Sequence, residues 1–318
     1  MVEYYLLVGL ATVLYSVQFV FTKMYQKRKG DGVYNMLIFN IVVAAASLVY
    51  LLILNGFKLE YTWFTLLVAG LFSVSIQLNR FFSVKLMARA GMAVFTLVLM
   101  LGGMLVPFFY GVVFLGDEMN AFRIAALILM IASIVFLMGK GKSGEAFSLL
   151  LFLFAVITFF TNGFSGMLLS LHQKSDLPKA DIVSFNAVCN IFIIASSLVM
   201  LAVMTAMRRY KSINGTFYEN ADSLSGAESA VEIVKKPLVL SWAIPIVVCV
   251  AYAAVHASAD LIQTFCYNYL DVSVETTIIT GGCIIFGTLA GLPFGEKIGL
   301  KTLLSIVLAT AGTALIIL

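Results

Sequence analysis

Two polar stripes interrupt the apolar stretches of this chain. Ser73, Gln77 and Arg80 fall at i, i+4 and i+7, and His256, Asp260 and Gln263 repeat that spacing far downstream. On an α-helix such spacing puts three side chains on one face. An arginine, an aspartate and a histidine can bind a charged or zwitterionic molecule, carry a proton, or form an ion pair that opens and closes. Their setting makes them informative, because an ionised group in hydrocarbon costs at least about 2.5–3.5 kcal/mol on insertion scales.

Arg80 and Asp260 carry two readings that do not exclude each other. One is a binding or gating pair; the other is a structural ion pair that locks two parts of the chain together. His256 can titrate near neutral pH or act as a neutral hydrogen-bonding group. Gln18 and Lys23 lie in the first apolar stretch, and Thr161, Asn162 and Ser165 in the sixth. These amides and hydroxyls either line the same cavity or bridge helices. Lys23 sits near a span end, where a long side chain reaches water. Glu275 is expected at the membrane interface, and His172-Gln173-Lys174 in a solvated loop.

The elements that hold these residues follow from composition. Of 318 residues, 62% are hydrophobic and 11% charged, against about 45–50% and about 25% in a soluble domain. Stretches long enough to cross hydrocarbon recur at 4–24, 33–54, 63–84, 92–115, 121–139, 147–171, 182–207, 238–266, 275–294 and 300–318. Only one connection is long, the polar loop 208–237. The start of the chain, Met1-Val2-Glu3-Tyr4-Tyr5, lacks the basic residues of a signal peptide, so the first stretch is expected to stay as a helix. Cys189, Cys249, Cys266 and Cys283 all fall in apolar runs and are expected to be buried, small and unpaired.

An internal duplication is visible at an offset of 179. It relates Trp63 to Trp242, Gly102-Gly103 to Gly281-Gly282, and Gly116-Asp117 to Gly295-Glu296. Five spans per copy is an odd number, which forces the copies into opposite orientations. The expectation is an all-α integral membrane protein, ten transmembrane helices in a 5+5 inverted repeat, with 1–140 as the first copy and 147–318 as the second. Gln77 matches His256 under this offset, so the two stripes meet near the bilayer midplane. Gly287, Gly291 and Gly295 have small-xxx-small spacing for close helix packing. Pro107, among Gly102, Gly103 and Gly111, is a candidate kink.

Lysine and arginine set the orientation. The connections after the odd-numbered spans hold fourteen, including Lys27, Arg28, Lys29, Lys140 and Arg208; the other side holds only Lys58, Arg123, Lys174 and Lys179. This bias puts the odd connections in the cytoplasm and both termini outside a cell (inner or plasma) membrane.

Other classes find little support. The chain has no HExxH, GxSxG or P-loop motif, and so little soluble sequence that no ATPase domain fits. No enzyme activity and no cofactor are expected. His256 and Asp260 would give a metal only two ligands, so no metal is expected. A net charge of +4 spread over loops suggests no nucleic-acid surface. A scaffold has little reason to keep costly charge in the membrane.

Motif order supports a more specific resemblance. Leu115-Gly116-Asp117-Glu118 precedes a span ending near Met138, and Phe294-Gly295-Glu296-Lys297 precedes Thr302 to Leu318, rich in Ala309, Ala311 and Gly312. Tyr15-Ser16-Val17-Gln18-Phe19-Val20 is similar to an aromatic-Gly-x-x-Phe opening, with Ser16 in place of glycine. The chain resembles the EamA-like, ten-span branch of the drug/metabolite transporter superfamily over nearly its whole length. The resemblance implies a cavity lined by spans 1, 3, 4, 6, 8 and 9, with 5 and 10 peripheral. Many family members have cytoplasmic termini, opposite to the charge bias here. The proton-coupling glutamate of four-span relatives has no counterpart in the first span.

These readings converge on a secondary carrier, in the exporting sense, for a small polar or amphipathic metabolite such as an amino acid, working by alternating access. Gln18, Gln77, Arg80, Asn162, His256, Asp260 and Gln263 are the expected substrate site, with Asp260, Arg80 and His256 coupling or gating. Membrane lipid and a small-molecule substrate are the expected partners, protons a candidate coupling ion, and monomer and homodimer are both open. The alternatives are a multidrug or cation exporter and a polytopic membrane enzyme.

Overall fold

In lipid, backbone N–H and C=O groups have no water to bond, so an apolar chain satisfies them internally as helices. The computed structural model describes residues 2–30, 32–90, 92–137, 149–213, 238–291 and 300–316, and every regular element among them is helical. In order they are α1 (Val2–Lys29), α2 (Val33–Leu54), α3 (Trp63–Ala90), α4 (Met92–Tyr110), α5 (Ala121–Leu137), α6 (Leu149–Lys174), α7 (Ile182–Ile213), α8 (Leu238–Cys266), α9 (Val272–Gly291) and α10 (Leu300–Ile316). Seven segments are long and apolar enough to span a membrane, in α1, α2, α3, α4 with its continuation to Leu115, α6, α7 and α8. Shorter apolar stretches occupy Ala121–Ser133, Val272–Phe286 and Leu303–Ile316. The chain is a multi-pass α-helical membrane protein. Its outer surface agrees: Phe114 is 77% and Leu149 85% exposed, which hydrocarbon tolerates and water does not.

Packing runs mostly between helices distant in sequence. α1 lies along α8 and α9; α3 lies along α6 and α7; α4 packs on α6 and α9; α2 packs on α7 and α8; α5 pairs with α10. Small residues permit these approaches, as expected where no hydrophobic effect drives helices together. A Cβ on Gly282 would stand 2.1 Å from Thr12 Cγ2 on α1, and one on Gly103 would stand 2.6 Å from Asn162 Nδ2 on α6. The four cysteines are free and buried.

The fourth span, expected over 92–115 with a candidate kink at Pro107, changes its helical geometry near its end. Pro107 lies inside α4, and after Tyr110 the chain widens into a π-helical turn, Gly111–Leu115. Gly116 ends it at φ 74°, a left-handed conformation suited to glycine, and Asp117 N–H donates back to Gly111 O at 3.0 Å. The Asp117 carboxylate then accepts from Ser273 N (2.9 Å) and Ser273 Oγ (2.8 Å) in the first turn of α9. Asn120 caps α5 through Arg123 N, and Asp181 caps α7 through Val183 N and Ser184 N.

One placement expected from sequence is overturned. The His172-Gln173-Lys174 cluster is the last turn of α6 rather than a loop. His172 is fully buried, its ring 3.8 Å from that of Phe185 and near parallel to that of Phe64. Its Nε2 bonds Thr65 Oγ1 and its Nδ1 bonds Gln173 Nε2, so both ring nitrogens are satisfied without water. Glu275 lies in the first turn of α9 and is fully buried within the protein. The motif Gly295-Glu296-Lys297, most of loop 208–237, and Lys140 and Lys142 lie outside the described residues, as do the side chains of Lys23 and Trp242.

Candidate functional site

The polar stripe on α8 is longer than the sequence reading made it. Tyr252, His256, Asp260, Gln263 and Tyr267 follow one another at three- and four-residue steps on and just past this helix. Opposite them stands Tyr15 of α1, whose hydroxyl lies 2.7 Å from Asp260 Oδ1 and 2.5 Å from Gln263 Oε1. One hydroxyl proton can serve only one of the two acceptors at a time. Gln263 Nε2 in turn donates to Tyr267 Oη at 2.8 Å.

His256 Nδ1 is 3.4 Å from Asp260 Oδ1 but not aligned for a hydrogen bond. The imidazole is flanked by the rings of Tyr15 and Tyr252, with centroids at 6.1 and 5.4 Å. Arg80 on α3 exerts its charge on Tyr252 and Asp260 without forming an ion pair with Asp260. Its Nη1 is buried with no hydrogen-bond partner. The direct Arg80–Asp260 bond that would lock the protein is therefore not made in this conformation.

The Asp260 side chain keeps 23% of its surface open and His256 29%. Asp260 is tied to α1 through Tyr15, and α3 and α8 have no extended packing against each other. An orphaned guanidinium nitrogen, a partly open carboxylate and a flanked imidazole can together accept a polar molecule with both donors and acceptors.

The other expected site residues fall elsewhere or only partly join. Gln77 is buried against α7, where its Nε2 donates to Ser197 Oγ and Ile193 O. Ser73 likewise pairs with Ser196 at 2.7 Å. Asn162 donates to Leu99 O of α4 at 2.7 Å, and Thr161 takes a bond from Asn79. These side chains bridge helices. Gln18, one turn beyond Tyr15, has its Oε1 buried and unpartnered. The tyrosines were missed as site residues because hydropathy counts them as apolar; continuing the His256–Asp260–Gln263 periodicity one step each way finds Tyr252 and Tyr267.

No protein-family model matches the chain, and no curated protein does. Solved structures do match, 28 chains in all. One is described only as the crystal structure of a protein: it shares 14% identity, aligns over 99% of this chain and 96% of its own, and superposes with a TM-score of 0.66. The likeness is one of fold, over the full length.

Proposed function

We propose that this chain is a secondary carrier that moves a small polar or amphipathic metabolite by alternating access around a site at Asp260. The observation that carries this reading is Asp260 itself: a carboxylate on a helix long and apolar enough to span a membrane, 23% open, held by Tyr15 and without an ion pair to Arg80, whose Nη1 has no partner. A purely structural acid would be closed off and fully bonded. The architecture we propose is ten spans in a 5+5 inverted repeat of the EamA-like kind. Exchange of packing partners supports it: α1 on α8 mirrors α6 on α3, α1 on α9 mirrors α6 on α4, and α2 on α8 mirrors α7 on α3. Gly282 against α1 mirrors Gly103 against α6.

The test is a thermal-shift screen of the detergent-purified protein against metabolites and lipophilic cations, since a ligand bound only by the folded state raises the melting temperature. Zwitterionic or anionic ligands whose effect disappears in Arg80→Ala support the metabolite carrier. If no ligand effect depends on Arg80 or Asp260, the site assignment fails. One observation favours a second reading, a cation exporter: Asp260 has no ion-pair bond to Arg80 and lies beside Tyr15 and His256, whose ring is flanked by Tyr15 and Tyr252, a setting suited to a cation. Hits confined to lipophilic cations and lost in Asp260→Asn would select it.

A further inference from the structure

Glu275 has no place in the site described above, yet it is a fully buried acid with both carboxyl oxygens unpartnered. It lies in the first turn of α9, directly after the 267–271 turn. α8 and the turn bring Cys266 and Tyr267, and α6 brings Lys174, the groups whose charges act on it. α1 brings Tyr4 and Tyr5 into the cluster that holds Cys266 and Val274, α5 brings Arg123, which is paired with Asp271 at 2.7 Å, and Asp117 is occupied by Ser273. α10 has no titratable side chain between 303 and 316. Lys174 makes no ion pair with Glu275, so nothing bonded to this carboxyl answers a charge on it.

The position of Glu275 links it to Asp260. From Asp260 the bonds run through Tyr15 to Gln263 and on to Tyr267, whose hydroxyl accepts from Gln263 and keeps its own proton to give. An amide does not pass protons readily, but the order of the bonds can switch. When Asp260 is ionised it holds the Tyr15 proton; when Asp260 takes up a proton, Tyr15 is free to turn to Gln263 Oε1, and the polarity change reaches Tyr267 beside Glu275.

We propose that Glu275 is a proton-binding site, alternating between carboxylic acid and carboxylate, whose occupancy is coupled to that of Asp260 through Tyr15, Gln263 and Tyr267. Glu275 thereby supplies the coupling acid that the first span lacks. The coupling role rests on the carrier reading; the proton site itself does not.

The test is infrared difference spectroscopy of the detergent-purified protein as pH is varied. A protonated-carboxyl band that titrates in the wild type, is absent from Glu275→Gln and is displaced but retained in Glu275→Asp is the expected result. Asp260→Asn and Tyr267→Phe should each move the midpoint of that band by about one pH unit, the scale of coupled acids. A band that does not change with pH while the protein stays folded, or no band lost in Glu275→Gln, overturns the proton site. A midpoint indifferent to both Asp260→Asn and Tyr267→Phe overturns the coupling. Melting curves confirm that each variant is folded, and Glu275→Asp keeps the test open if the glutamine variant is not. Loss of every ligand effect in the thermal-shift screen would remove the carrier reading and leave the titration of Glu275 standing.

Discussion

The Tyr15 hydroxyl stands 2.7 Å from Asp260 Oδ1, joining α1 to α8 across 245 positions of sequence. Tyr15→Phe removes only the hydroxyl and leaves the ring beside His256. A hydrogen bond to a charged group contributes about 1.5–3 kcal/mol, so the variant should melt lower by an amount in that range. In an Asp260→Asn background the same change should cost less, because the acceptor is no longer ionised. A double-mutant cycle by chemical or thermal unfolding reads the difference, and equal costs in both backgrounds would refute a charged bond.

Gly282→Ala places a methyl group 2.1 Å from Thr12 Cγ2 and should destabilise by about 1–3 kcal/mol. Thr12→Ala removes that atom and should restore part of the loss. Melting temperatures of the two single variants and the pair decide it; a double variant no better than Gly282→Ala would mean that α1 and α9 do not approach as described.

Asp117→Ala strips α9 of the carboxylate that accepts from Ser273 N and Oγ. The expected loss is about 1–2 kcal/mol, the upper part of the range for a helix cap, since the group is buried. Asp117→Asn keeps one acceptor oxygen and should lose less. Hydrogen exchange of the Ser273 amide should rise in the alanine variant.

Asp181 provides a pH test outside the membrane spans. Partial burial works to raise its carboxyl, but hydrogen bonds from Ser184, Val183 and Asn55 outweigh it and hold the group below the ordinary carboxylate value. A depressed folded-state value contributes stability that is present above the unfolded value and is lost as pH falls through the folded one. Asp181→Ala should therefore melt below wild type at neutral pH, by the equivalent of about 1 kcal/mol. The gap should close below the ordinary carboxylate range.

What sequence makes legible here is periodicity, and what it hides is depth. Asp260 and His256 stand out because charge among apolar residues is costly, and the structure leaves both partly open, 3.4 Å apart. Gln77 and Asn162 satisfied the same rule but turn to neighbouring helices, since an amide can bond a backbone carbonyl or hydroxyl wherever one is near. Tyr15, Tyr252 and Tyr267 were invisible as chemistry because their rings pack like phenylalanine while their hydroxyls bond. His172 is misplaced because it lies at a helix end: α6 runs three residues beyond its expected span, and sequence patterns locate such ends least well.

The pairing of helices made early with helices made late has a consequence for synthesis. Within α1–α5 only α3 with α4 and α4 with α5 pack appreciably, whereas α1 needs α8 and α5 needs α10. As the ribosome feeds the chain into the bilayer, α1 and α2 must persist in lipid until partners more than a hundred residues behind them emerge. Hydrophobicity sufficient for solitary insertion is thus a separate demand on α1 and α2, and assembly waits for the end of translation. A chain truncated before α8 would leave Tyr15 facing acyl chains, a species for membrane quality control to remove.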